Sequence, residues 1–206
     1  MPEIIYSDDS LVIINKPADM LSVPGKGPEK QDCVWRRVQQ QFPTARIVHR
    51  LDYATSGLMV LALNLETQRA LSIAFQNRDT RKRYQAIVAG ELTENKGSVE
   101  LPLRCDWENR PLQIVDFEQG KAALTHWRKI ETMALGTRLE LTPITGRSHQ
   151  LRVHMQSMGH PIIGDRFYAE PEQVAASDRL LLHAEHLGFP HPATTKWVDF
   201  YAPCPF

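Results

Sequence analysis

Short apolar runs along the chain are separated by polar breaks marked with Pro, Gly or Asn. Near the N-terminus, "SLVIINKPADMLSVPG" (10–25) reads as a buried strand followed by a loop. Residues 32–41, "DCVWRRVQQQ", have helical spacing, with Asp32 as the expected N-cap and Pro43 beyond the end. Two apolar segments then flank a charged break: Ile47 and Val48 on one side, Leu58 to Leu63 on the other, with His49-Arg50-Leu51-Asp52 and a "YATSG" turn between them. "NLETQRALSIAFQNR" (64–78) predicts an amphipathic helix capped by Asn64, with Leu71, Ala74 and Phe75 on one face. "RKRYQAIVAGEL" (81–92) predicts a strand entered through Arg81, Lys82 and Arg83. Residues 98–103, 121–130 and 137–144 read as further strands. "SHQLRVHMQSM" (148–158) has helical period, with Gly159 placed to end it, and "LLLHAEHLGF" and "WVDFY" close the chain as strands. Many strands and few helices, without regular βαβ alternation, predict an α+β fold around a mixed or largely antiparallel sheet.

Composition narrows the class. The chain has 206 residues, 42% hydrophobic and 23% charged, which fits one globular domain over 1–206 with a sizeable core. No apolar run is long enough to span a membrane, and the N-terminus lacks the zones of a signal peptide. A cytoplasmic protein without a membrane partner is expected. Cys33, Cys105 and Cys204 are too few and too scattered for a zinc pattern or a disulfide framework. The formal charge is zero, but its distribution is not even. Windows 36–83 and 147–166 hold 12 basic and 4 acidic residues, against 12 and 20 elsewhere. A basic face for nucleic acid can hide inside such a balance, because binding responds to the local field.

Three constellations carry candidate chemistry. If the tetrad continues the strand, Arg50 and Asp52 share one face and His49 and Leu51 the other. Asp52 then either pairs with Arg50 at a strand end, or stands at the mouth of a cleft anchored by the flanking apolar runs. In "ITGRSHQLRVHMQSMGHP", a helix starting near Ser148 puts Leu151, Met155 and Met158 on a core face and His149, Arg152 and Gln156 on another. Arg152 is then held rigidly and offered to a carboxylate. Tyr84 follows the three cations at 81–83, as a strand-start aromatic or as a ring that stacks on a base while the cations meet phosphates. The five histidines from His149 to His186 show no metal-ligand spacing, and Walker, dinucleotide and G-x-S-x-G motifs are absent, so no cofactor is expected.

"HRLDYATSG" (49–57), "RKRYQAIVAG" (81–90) and "ITGRSHQLRVHM" (144–155), in this order, resemble the RluA-type RNA pseudouridine synthases. "GHPIIGDRFY" (159–168) and "LLLHAEHL" (180–187) extend the likeness to nearly the whole chain. The resemblance implies a mixed, mostly antiparallel sheet crossed by a cleft, and an isomerase that needs no cofactor. It implies that Asp52 is the catalytic aspartate, Tyr84 the active-site tyrosine and Arg152 the basic partner of the aspartate. It further implies that Arg50 fills the gap left by a flipped base. His49, Arg147, His154, Arg81 and Arg83 are expected RNA contacts. "CDWENRP" (105–111) and the short length resemble a family member that modifies both 23S ribosomal RNA and the anticodon stem-loop of tRNA. Many relatives begin with a small RNA-binding domain, which is expected to be missing here, and a monomer is expected. A buried carboxylate would tend to gain a proton, whereas a close guanidinium typically lowers an Asp pKa by about 1–3 units. Arg152 rather than Arg50 is therefore the expected durable partner of Asp52. Two other readings stay open: an RNA-binding module without catalysis, and a nucleoside or glycoside hydrolase with a second carboxylate.

Overall fold

The computed structural model describes residues 1–206, which form two compact units: 1–82 with 183–205, and 83–182 with 206. The class is α+β. No helix is long and apolar enough to cross a membrane, and the three cysteines form no disulfide.

The first unit is built on β4 (Ser56–Ala62), whose seven residues are all buried. Antiparallel β2 (Leu11–Lys16) runs along one side of it, and β1 (Glu3–Ser7) pairs with β2 beyond. On its other side β4 takes β3 (Arg46–Ile47) at one end and β11 (Leu182–Pro190) at the other, with β12 (Trp197–Tyr201) antiparallel to β11. The β4–β11 contact is parallel, so the sheet is mixed. It is also very tight. Gly57 sits at φ +117°, and a β-carbon there would run into the Ala184 backbone. Ser56 Oγ meets His183 Nδ1 at 2.8 Å, and His183 Nε2 meets the Ala202 carbonyl at 3.1 Å.

Helix α2 (Leu65–Asn77) lies over this sheet, with Leu71 fully buried beside Leu11, Ile13, Leu58 and Val60 and with Phe75 packed against them. Asn64 caps it as expected, accepting from the Thr67 N–H at 2.8 Å. Helix α1 (Val34–Gln39) is shorter than the expected 32–41, and its N-cap is Cys33. Asp32 instead grips Arg37, with Oδ2 2.6 Å from Nη2. A carboxylate within reach of an arginine one turn on has a stronger partner than a backbone N–H.

In the second unit β5 (Arg81–Val88), β10 (Gly136–Pro143), β9 (Leu124–Met133) and β6 (Lys96–Glu100) pair antiparallel in that order. A separate hairpin joins β7 (Leu103–Cys105) to β8 (Gln113–Val115). Helix α3 (Gln150–Ser157) is followed by the short α4 (Pro171–Ala175). Gly159, at φ 80°, follows the end of α3 as the sequence suggests.

Candidate active site

The HRLD tetrad does not continue the strand. Strand pairing stops at Ile47, and residues 48–51 run on without a ladder into a turn at 52–55. The segment is nonetheless fixed at 49, 51 and 53. His49 Nε2 accepts the Val60 N–H at 3.1 Å, and its ring stacks on Phe75 at 4.6 Å. Ser22 Oγ donates to the Leu51 carbonyl at 2.7 Å and accepts the Leu51 N–H at 3.2 Å. The Tyr53 carbonyl accepts from Lys16 Nζ at 3.0 Å and from the Met20 N–H at 3.2 Å. At 49 the anchor is the ring, whereas at 51 and 53 it is the main chain, and the Tyr53 side chain is itself exposed. Arg50 is exposed and Asp52 half-buried.

Arg50 makes no ion pair, so the strand-end pairing of Arg50 with Asp52 is not formed. The clamp on the turn comes from a residue that sequence reasoning missed. Lys16 is fully buried at the end of β2, and its ammonium donates to the carbonyls of Pro17, Met20 and Tyr53 at 2.8–3.0 Å. A buried ammonium is tolerated only when its donors find acceptors. The loop that begins at Asn-Lys-Pro supplies two of them and the turn at 52–55 the third. The clamp's only signal in the sequence is a lysine at the end of an apolar run.

His49 was expected to touch RNA, but burial and the charge of Lys82 push its pKa down to about 3. The ring is neutral, and Nε2 serves as an acceptor for the main chain. His154, expected in the same role, is 0% exposed. Its ring nitrogens meet Thr125 Oγ1 and the Leu101 carbonyl at 2.9 and 3.1 Å, and burial lowers its pKa. A side chain sealed in this way has no face for a ligand. His154 is a core histidine.

Tyr84 lies half-buried on β5, opposite Leu141 of β10. The cations before it separate, because alternate strand residues point to opposite faces. Arg81 is exposed and lies 4.6 Å from the Trp197 ring centroid. Lys82 is partly buried, with its pKa lowered by burial and by Arg78. Arg83 lies 3.5 Å from Glu140.

The G-R-S-H-Q-L-R segment is organised by Gln150. Its side-chain oxygen accepts from Thr145 Oγ1 and from the Arg147 N–H at 2.7 and 3.0 Å, while Nε2 donates to Leu124 O and Thr125 Oγ1. Helix α3 therefore starts at Gln150 rather than near Ser148, with His149 left-handed at φ 52° ahead of it. Arg147 is exposed, and its Nε donates to the Ala122 carbonyl.

All residues from Gln150 to Met155 are buried, Arg152 among them. It is 4% exposed and forms a bidentate pair with Asp165: Nε to Oδ2 at 2.7 Å and Nη2 to Oδ1 at 2.6 Å. The rings of Phe167 and Tyr168 each lie 5.1 Å from the guanidinium carbon. Asp165 was not picked out from the sequence, although it lies in the "GDRFY" segment noted there.

Comparison with known proteins adds a separate line of support. The sequence pattern of the family described as "RNA pseudouridylate synthase" matches residues 10–157. The chain is 50% identical over 205 residues to the dual-specificity RNA pseudouridine synthase RluA of Pasteurella multocida, spanning 99% of this chain and 94% of that protein. It is 51% identical over 204 residues to the RluA of Escherichia coli K12, spanning 98% and 93%. Among solved structures, human RNA pseudouridylate synthase domain containing 1 superposes with a TM-score of 0.84 at 29% identity, covering 100% of this chain and 84% of that one.

Proposed function

The chain belongs to the RNA pseudouridylate synthase family, an isomerase that turns uridine into pseudouridine in RNA, and on that premise we propose that Asp52 is its catalytic carboxylate. The reaction breaks the bond from C1′ to N1 and joins C1′ to C5. The C5 proton leaves and N1 gains one, so no electron or phosphoryl group changes hands. A carboxylate serves as covalent catalyst by adding to C6 of the ring or to C1′ of the sugar, and is released when the new bond is complete. One observation carries the assignment. The turn is pinned through the His49 ring and the backbone at 51 and 53, so Asp52 sits half-buried on a rigid main chain without Arg50 as its counter-ion. Positioning of this kind is what a covalent step needs.

Arg152 is proposed as the charge partner that keeps Asp52 ionised. A guanidinium has five N–H donors, and Asp165 takes the Nε–Nη2 edge, so the Nη1 edge has the shape to meet a second carboxylate. Tyr84 is proposed to stack on the flipped uracil, and Arg50 to occupy the place the base leaves. Base extrusion costs a few kcal/mol, and a stacked guanidinium recovers part of it. Arg50, Arg81 and Arg147 are the exposed cations proposed to meet phosphates, and Arg83 a further RNA contact. We read the whole chain as one catalytic domain. The dual specificity in the relatives' names leads us to propose more than one RNA substrate, with 23S ribosomal RNA and the tRNA anticodon stem-loop as the classes to test.

RNA labelled with tritium at C5 of uridine tests this reading. Purified protein alone should release tritium and leave pseudouridine in an intact chain. Release of free uracil would favour the hydrolase instead, and RNA binding without release would favour the non-catalytic module.

A further inference from the structure

We propose that Asp165 is a positioning residue for this isomerisation, fixing the guanidinium plane of Arg152; the inference rests on the role proposed for Arg152. Asp165 is 1% exposed and Arg152 4%. A buried ion pair is a poor way to stabilise a fold, since apolar residues of similar volume often do as well or better. What the pair supplies is orientation. Two parallel N–H···O bonds fix both the position and the plane of a guanidinium, which a single bond or a lysine would not.

The carboxylate is itself held. Asp165 Oδ1 also accepts the Phe167 N–H at 3.0 Å, the Asp165 N–H donates to the Ile162 carbonyl at 3.2 Å, and the Asp165 carbonyl accepts the Ala169 N–H at 3.1 Å. Gly164 before it adopts φ +77°, where a β-carbon would run into the Arg179 carbonyl, so this approach to Asp165 needs glycine. The Phe167 and Tyr168 rings, both 5.1 Å from the guanidinium carbon, limit its tilt. Tyr168 is fastened in turn, with Oη 2.7 Å from His149 Nδ1 and accepting the Gln113 N–H at 2.8 Å. Arg152 is thus fixed from a turn thirteen residues further along the chain, and the "GDRFY" segment gains a function that its sequence does not announce.

The test is single-turnover tritium release at saturating RNA, run beside a direct measurement of RNA affinity. Asp165→Asn keeps the volume but turns an amide N–H toward a guanidinium N–H. The rate should fall about tenfold to a hundredfold, as expected for a misplaced group, while RNA affinity stays at the parent value. In an Arg152→Lys background, where no fork remains to be oriented, Asp165→Asn should add little further loss. Parental rate in Asp165→Asn, or the same fold loss in both backgrounds, would overturn the inference. If Asp165→Asn does not fold, Asp165→Glu retains the charge and displaces it by one methylene. A parental rate in that variant would equally overturn the inference. An unimpaired Arg152→Lys would instead remove the role of Arg152 itself, a different failure.

Discussion

His49, Leu51 and Tyr53 each give a polar atom to the interior of the first unit, and of the two residues between them Arg50 is exposed and Asp52 half-buried. The partners are Ser22, Lys16, Met20 and the Val60 N–H instead of a neighbouring ladder. Arg50, exposed and without an ion pair, is available for the wedge role. Arg50→Ala should therefore slow modification of a folded stem-loop about tenfold, a fraction of the unstacking cost, and leave an oligonucleotide with an unpaired uridine nearly unaffected. Equal impairment of both RNAs in parallel rate assays would count against the wedge. The histidines teach the opposite lesson. His49 and His154 look like polar contacts in the sequence, and both are neutral rings, half-buried and buried respectively, held by backbone or hydroxyl partners.

Elements with a repeating pattern were legible: the all-buried β4, the Asn64-capped α2, and β12 at the boundaries of "WVDFY". Elements whose form depends on distant partners were not. The expected strand at 98–103 is two strands, β6 and β7, interrupted at Leu101 and Pro102, and the edge strands β1 and β8 carry too little periodicity to declare themselves. The start of α3 is set by Gln150 binding to β9, a contact that no spacing within the motif encodes. For the same reason Asp165 and Lys16 were passed over. Each is an ordinary ionisable residue until the fold supplies its partners. At this scale the parallel β4–β11 contact makes a sharp prediction. Gly57→Ala should destabilise the protein by about 2 kcal/mol or more, since it combines an unfavourable φ with a backbone clash. Urea unfolding would show this as a lower midpoint, and an unchanged midpoint would mean that the strands separate without cost.

The whole molecule is formally neutral, but its charges are not distributed as the sequence windows suggest. Arg152 and Asp165 neutralise each other in the interior and Arg83 lies beside Glu140, so the cations left for RNA are fewer than the windows count. Acid sensitivity is a further global property. His49 has a folded pKa near 3 and His154 one that is also lowered, against about 6.5 when unfolded. Below pH ~6.5 the unfolded chain therefore binds more protons than the folded one, and stability should fall as pH drops from there toward about 3. Urea titrations across this range should show that fall, and His49→Gln, which retains an acceptor for the Val60 N–H, should flatten it. A slope unchanged in the variant would contradict the assignment. The most direct measurement for the account as a whole is tritium release by Asp52→Asn under single-turnover conditions, with RNA affinity measured alongside. The account predicts RNA bound at least as tightly as by the parent and a rate about ten-thousandfold lower or less, the scale seen when a catalytic nucleophile is removed. Release near the parent rate from a folded, RNA-binding variant would contradict it.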